Sequence, residues 1–146
     1  MYVTATQRLT SAGAKKMMAT AIAAAETDGI AISVAIADSG GHLLLLERME
    51  GGRFHTVHSA TVKAVCAASN RRPTAAQGAQ AQPLDAIHAI GLALAAGPER
   101  WTAMEGGCPV IFGGECVGGI GVAGGSFEFD ARVAREAVES IGASAT

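Results

Sequence analysis

A chain of 146 residues is long enough for one domain with a buried core, and we treat 1–146 as a single domain. Hydrophobic residues make up 49% of it and charged residues only 16%. The formal net charge of −2 excludes the basic surface that nucleic acids and anionic membranes attract. No apolar run approaches the roughly 18 residues that span a bilayer. We therefore expect no nucleic-acid or membrane partner.

Cysteine usage and composition suggest a compartment and an assembly state. Cys66, Cys108 and Cys116 form an odd set without C-x-x-C spacing, which argues against a disulfide framework or a zinc site. The first 16 residues lack the apolar core of a signal peptide. We therefore expect reduced thiols in a cytoplasmic protein. A chain this apolar must hide much of its surface, which favours a homo-oligomer.

Capping residues, turn residues and hydrophobic periodicity predict the elements in chain order. Thr10 or Ser11 can cap a first helix that stops at Gly29, and Asp38-Ser39-Gly40-Gly41 is typical of a hairpin turn. The predicted elements are a helix to about 28, strands over 30–37 and 42–49, helices over 54–70 and 84–96, strands over 109–112 and 116–123, and a helix from about 130 to 142. This order, α-β-β-α-α-β-β-α, predicts an α+β fold in which helices flank an antiparallel sheet of two hairpins with about four to five strands.

The helix over 54–70 is predicted to have two different sides when it is drawn as a wheel at 100° per residue. One side is small and apolar enough to dock on a sheet, and it holds Val57, Ala60, Thr61, Ala64, Ala67 and Ala68. The other side holds His55, His58, Ser59, Val62, Cys66 and Asn70, with Lys63 at its edge. This second side is too polar for a core, so we expect it to face solvent, a pocket or another subunit.

Several segments in this order are similar to a known family. They are VAIADSGGHLLLLERMEG, SATVKA, GGCPVIFGGECVGGIGVAGG and the late Asp130. Together they cover nearly the whole chain, which resembles the GlcG/HbpS family, including the C-terminal domain of PduO-type proteins. The resemblance implies an oligomeric α+β domain and binding of haem or a related tetrapyrrole, as in some members. The chain departs from the family pattern at Glu50, where an aspartate is usual, and in having both His55 and His58.

The first functional hypothesis is therefore a haem- or tetrapyrrole-binding protein. His55 and His58 are three residues apart on one helix side, so either imidazole could be an axial ligand of haem iron. Lys63 with Arg48 or Arg53 could bind a propionate or another carboxylate. Equally, Lys63 could form a salt bridge to an acid, for which Glu47 and Glu50 are the candidates. Other ligand contacts are expected from Phe54, one of the few large apolar side chains, and from Gly121.

The second hypothesis is a small cofactor-independent enzyme, a lyase or isomerase, that acts on an aromatic or short organic acid. His55, His58 or Glu50 would move protons, and Lys63 or an arginine would hold the carboxylate. A third hypothesis is an accessory oligomeric module that has no catalytic activity.

Two other groups of residues have interpretations that are mainly structural. Gly118, Gly119 and Gly121 would let a strand pass close to a helix or a flat ligand. His42 and His88 are expected to be structural or exposed.

Overall fold

The computed structural model describes all 146 residues and has four helices and four strands. The elements are α1 Ser11–Asp28, β1 Ser33–Asp38, β2 Leu43–Arg48, α2 His55–Asn70, α3 Ala86–Ala96, β3 Gly107–Phe112, β4 Glu115–Ala123 and α4 Phe127–Glu139. The predicted α+β class and the order α-β-β-α-α-β-β-α are confirmed. None of the helices combines the length and the apolar character that crossing a membrane requires.

Helix α1 begins and ends where its capping residues predict. The side chain of Thr10 accepts a hydrogen bond from the backbone N–H of Gly13, which satisfies one of the free donors of the first turn. Gly29 follows the last turn with φ of 66°, and its N–H donates to the carbonyls of Ala25 and Glu26. Glycine adopts this left-handed conformation without the steric penalty that other residues have.

The four strands form one antiparallel sheet in the order β2-β1-β4-β3. Alternating side chains of the central strands, such as Val34 and Ile120, point to one side and pack under α1 and α4. This is the larger core, and it includes Met17 and Val133. On the other side of the sheet, the central strands β1 and β4 carry small residues such as Ala35 and Ala123, and α2 covers them.

Glycines in β4 allow α2 to lie directly on the sheet. A Cβ atom on Gly121 would overlap the carbonyl oxygen of Ala60, and one on Gly119 would overlap that of Ala64. The close backbone approach predicted for these glycines therefore occurs, and the partner is a helix.

The orientation of α2 differs from the wheel prediction at three residues. Val62, Lys63 and Cys66 are buried, with 5%, 2% and 1% of their surfaces exposed. The prediction of a polar side was wrong for Cys66 because the chain before β3 covers it, and its thiol donates to the carbonyl of Thr102 at 3.6 Å. Lys63, predicted at the edge of that side, is buried against Val122 of β4 and Asp130 of α4. The helix is thus buried on more than one side.

Helix α3 is the opposite case. It packs on no other helix or strand, and none of its residues is buried. Ile87 and Leu94 expose 81% and 73% of their surfaces.

Candidate functional site

The two histidines singled out by the sequence lie on the exposed side of the first turn of α2. His55 and His58 are both exposed, and neither ring forms a hydrogen bond within the chain. Phe54, directly before the helix, is 80% exposed, and its ring meets the His55 ring edge-on at 6.0 Å between centroids. The imidazole nitrogens are therefore free to bind a ligand beside an exposed aromatic ring.

The charged residues before α2 are also exposed, but they do not form the predicted acid–base pair. Arg53 donates from Nη2 to the carbonyl of Gly124 at 3.4 Å. Arg48 and Glu50 are exposed, and their side chains form no hydrogen bond or ion pair. Because no hydrogen bond joins Glu50 to His55 or His58, proton transfer by these three residues stays a prediction without geometric support.

Lys63 lies inside the protein instead of at a ligand-accessible surface. Its ammonium is 3.3 Å from Oδ2 of Asp130 and donates to the carbonyl of Val122 at 2.8 Å. Both charged side chains are only 3% exposed. The salt bridge therefore forms with Asp130, not with Glu47 or Glu50, and the structure gives the expected role in carboxylate binding no support.

Burial and mutual attraction act in opposite directions on this pair. Burial lowers the pKa of the Lys63 ammonium and raises the pKa of the Asp130 carboxyl, while the opposite charge of each partner counteracts the shift. Asp130 also accepts a hydrogen bond from the N–H of Gly125 at 3.0 Å. The pair thus joins α2, β4 and the first turn of α4 through satisfied polar contacts.

Gly121 is likewise inaccessible, because α2 lies on it at Ala60. Its place in the sequence pattern is explained by helix docking. A contact between Gly121 and a bound ligand is therefore not supported by its position.

The exposed residues around the start of α2 have the donor chemistry that haem requires. An imidazole nitrogen is a common axial ligand of haem iron, and arginine suits a propionate carboxylate. His55, His58, Arg48 and Arg53 supply these groups within one short exposed segment. No group of three or more His, Cys, Asp or Glu residues is arranged to bind a bare metal ion.

A cleft of about 620 Å³ lies on the outward side of α2, farther along the helix than His55 and His58. His42 lines it, although we expected this histidine to be structural or exposed and did not include it among the site residues. The signal that could have found it is local: Asp38 precedes His42 by four residues across a Gly-Gly turn.

These features define a small α+β domain with one four-stranded antiparallel sheet, a helix seated on sheet glycines and an exposed pair of histidines. The family model described as "Haem degrading protein HbpS-like" matches residues 9–139. The chain belongs to this family, which confirms the resemblance drawn from its motifs.

Individual relatives agree with this assignment. Protein GlcG of Escherichia coli strain K12 is 35% identical over 112 residues, covering 73% of this chain and 78% of GlcG. The crystal structure of HbpS has a TM-score of 0.79 and 32% identity, covering 97% of this chain and 95% of HbpS. The crystal structure of a PduOC:haem complex has a TM-score of 0.82 and covers 95% of this chain and 99% of PduOC. Its 22% identity supports the fold alone.

Proposed function

We propose that this protein binds haem or a related tetrapyrrole on the exposed side of the first turn of α2. The observation that carries the proposal is the pair of exposed imidazoles, His55 and His58, whose ring nitrogens have no partner within the chain. The description of the family as haem-degrading supports the same ligand class. A solved relative of the same fold is described as a haem complex, which is consistent with the proposal.

Each nearby residue has a distinct role in this proposal. His55 or His58 would hold the haem iron through an imidazole nitrogen, and bound haem would supply an iron centre with a strong Soret absorbance. Arg48 and Arg53 would pair with the propionates, and Phe54 would supply an apolar contact to the ring. Leu46 would add apolar surface, because it pairs with Ala35 on the side of the sheet that carries α2 and is 38% exposed.

The test is a titration of the purified protein with haemin, followed by absorbance. We expect a saturable Soret band at one haem per site, and its loss or conversion in either His55→Ala or His58→Ala. His88→Ala is the matched control, because His88 is an exposed histidine on α3. A nonspecific response that is the same in all four proteins would refute haem ligation by this pair.

We further propose that the protein is a homo-oligomer in which a second copy covers α3 and Leu43 at the start of β2. Four large apolar residues of α3 are at least 40% exposed, namely Ile87, Ile90, Leu92 and Leu94, and Leu43 of β2 is 48% exposed. Unpartnered apolar area of this kind usually marks an interface. Light scattering should give a multiple of the monomer mass, and the double variant Ile87→Glu/Leu94→Lys should be monomeric. A monomeric parent protein would refute the proposal.

The proposed location is the cytoplasm. All three cysteines are free thiols, which suits a reducing compartment. Cell fractionation with the native gene tests this, and recovery outside the cytoplasm would contradict it.

A further inference from the structure

The cleft on the outward side of α2 is formed by three segments that are far apart in the sequence. These are the turn 39–42 between β1 and β2, the α2 residues Thr61, Val65 and Ser69, and the chain around 96–101 that follows α3. Neither His55 nor His58 lines it. The cleft is therefore separate from the surface to which we assign haem.

One wall of the cleft carries a histidine that a carboxylate orients. Oδ1 of Asp38 accepts hydrogen bonds from the backbone N–H groups of Gly40, at 2.9 Å, and His42, at 3.0 Å. The same oxygen lies 3.3 Å from Nδ1 of the His42 ring. The backbone N–H of His42 holds the pKa of the Asp38 carboxyl below its ordinary value, so the carboxylate is ionised at neutral pH and can only accept.

The protonation of the neutral His42 ring follows from this contact. Nδ1 must carry the hydrogen that the Asp38 carboxylate accepts, so Nε2 is left as an unprotonated acceptor. Nε2 has no hydrogen-bond partner within the chain. The free acceptor belongs to a residue that lines the cleft.

The two glycines of the turn leave the space that the His42 ring and α2 occupy. A Cβ atom on Gly40 would come within 3.0 Å of the His42 ring. Gly41 has φ of 83°, and a Cβ there would be 3.3 Å from Val65 of α2. Larger residues would therefore disturb either the position of the imidazole or the contact between the turn and α2.

The opposite wall supplies a free cation and an aromatic ring. The guanidinium of Arg100 is exposed and forms no hydrogen bond or ion pair. Trp101 is half-buried and is the only tryptophan of the chain. Glu99 is the one acidic lining residue, and its Oε1 lies 2.6 Å from the position that a Cβ on Gly97 would take. The Glu99 side chain thus folds back over Gly97.

We propose that this cleft binds a small aromatic carboxylate that carries a ring hydroxyl group. Arg100 binds the carboxylate through charge-assisted hydrogen bonds. The indole of Trp101 packs against the aromatic ring. Nε2 of His42 accepts the hydrogen bond that the hydroxyl donates.

Trp101 makes the proposal directly measurable, because emission excited at the tryptophan band reports on the cleft alone. The probe is 4-hydroxybenzoate, and we expect saturable quenching with a Kd of about 1 mM or tighter. Arg100→Gln should weaken binding by about tenfold or more. 4-Hydroxybenzyl alcohol lacks the carboxylate, so it should bind to the parent protein as weakly as 4-hydroxybenzoate binds to Arg100→Gln. His42→Ala should weaken binding of 4-hydroxybenzoate but leave the affinity for benzoate unchanged.

Controls separate this site from a general charge effect and from haem binding. Arg135→Gln removes another exposed arginine, on α4, and should leave the affinity for 4-hydroxybenzoate unchanged. Each measurement is repeated by titration calorimetry, which detects binding even if the fluorescence of Trp101 does not change. Absence of both heat and quenching, or equal affinity in Arg100→Gln, would overturn the proposal. Haemin binding of Arg100→Gln should equal that of the parent protein, so the two proposals can fail separately.

Discussion

Helices α2 and α3 follow one another in the chain, yet their composition and their burial are reversed. Helix α2 carries histidines, threonines and a lysine, and half of its residues are buried, including Thr56 and Lys63. Helix α3 is almost entirely apolar, and none of its residues is buried. Composition alone would have assigned the two helices the opposite way.

The difference shows that burial in this fold is decided by available partners. Every buried polar side-chain atom of the chain has a hydrogen-bond partner, which removes most of the cost of burying Thr56 and Lys63. Ser33 and Thr56, for example, share a hydrogen bond of 2.9 Å between β1 and α2. No element of the same chain covers α3, so its apolar residues are the part of the molecule that a second copy would complete.

The largest expected effect on stability comes from breaking the ion pair between Lys63 of α2 and Asp130 of α4. Asp130→Ala leaves the Lys63 ammonium buried without its carboxylate, and we expect a loss of about 3–5 kcal/mol in the free energy of unfolding. Urea denaturation measures this. Glu128→Ala is the matched control in the same turn of α4, because Glu128 is exposed. A loss for Asp130→Ala no larger than for Glu128→Ala would mean that Lys63 does not depend on this partner.

The next largest effect on stability comes from disturbing the close contact between α2 and β4. Gly121→Ala places a methyl group against the backbone carbonyl of Ala60, which cannot move without shifting the helix. We expect a loss of about 3 kcal/mol in the free energy of unfolding, measured by urea denaturation. Unchanged stability would show that α2 is not closely seated on the sheet.

The corresponding change in α3 should have the opposite sign. Gly91 lies in the middle of this helix, and a Cβ atom there would meet nothing within 4 Å. Gly91→Ala should raise stability by about 0.5–1 kcal/mol, because alanine favours the helix. Denaturation at several protein concentrations checks this. A loss of stability that grows with protein concentration would indicate that a second copy packs closely against Gly91.

The sequence predicted the elements better than it predicted the site because the elements depend on local signals. Thr10, Gly29 and the Gly-Gly turns act within a few residues of where they lie, so the helix and strand order could be predicted. The partner of Lys63 is 67 residues away, and no periodicity within α2 indicates it. The wheel placed Cys66 at the surface for the same reason, since the covering segment at Thr102 belongs to another part of the chain.

The smallest expected effect on stability comes from removing the charge of Asp38, in the turn between β1 and β2. The comparison is with Asp85, the N-cap residue of α3. Asp38 and Asp85 each accept the backbone N–H of a nearby histidine, and this contact holds the pKa of each carboxyl below its ordinary value. A carboxyl with a lowered pKa stabilises the fold above its unfolded pKa of about 4, and the contribution is lost as the pH falls through the folded value.

We therefore expect Asp38→Asn to cost a few tenths of a kcal/mol near pH 6, after allowance for solvent screening, and less near pH 3. Urea denaturation at both pH values measures the difference. Asp85→Asn should show the same direction, and its effect should weaken more in high salt because the Asp85 side chain is 65% exposed and that of Asp38 is 31% exposed. If the loss in the free energy of unfolding for Asp38→Asn is larger at low pH, the carboxylate does not stabilise the turn between β1 and β2.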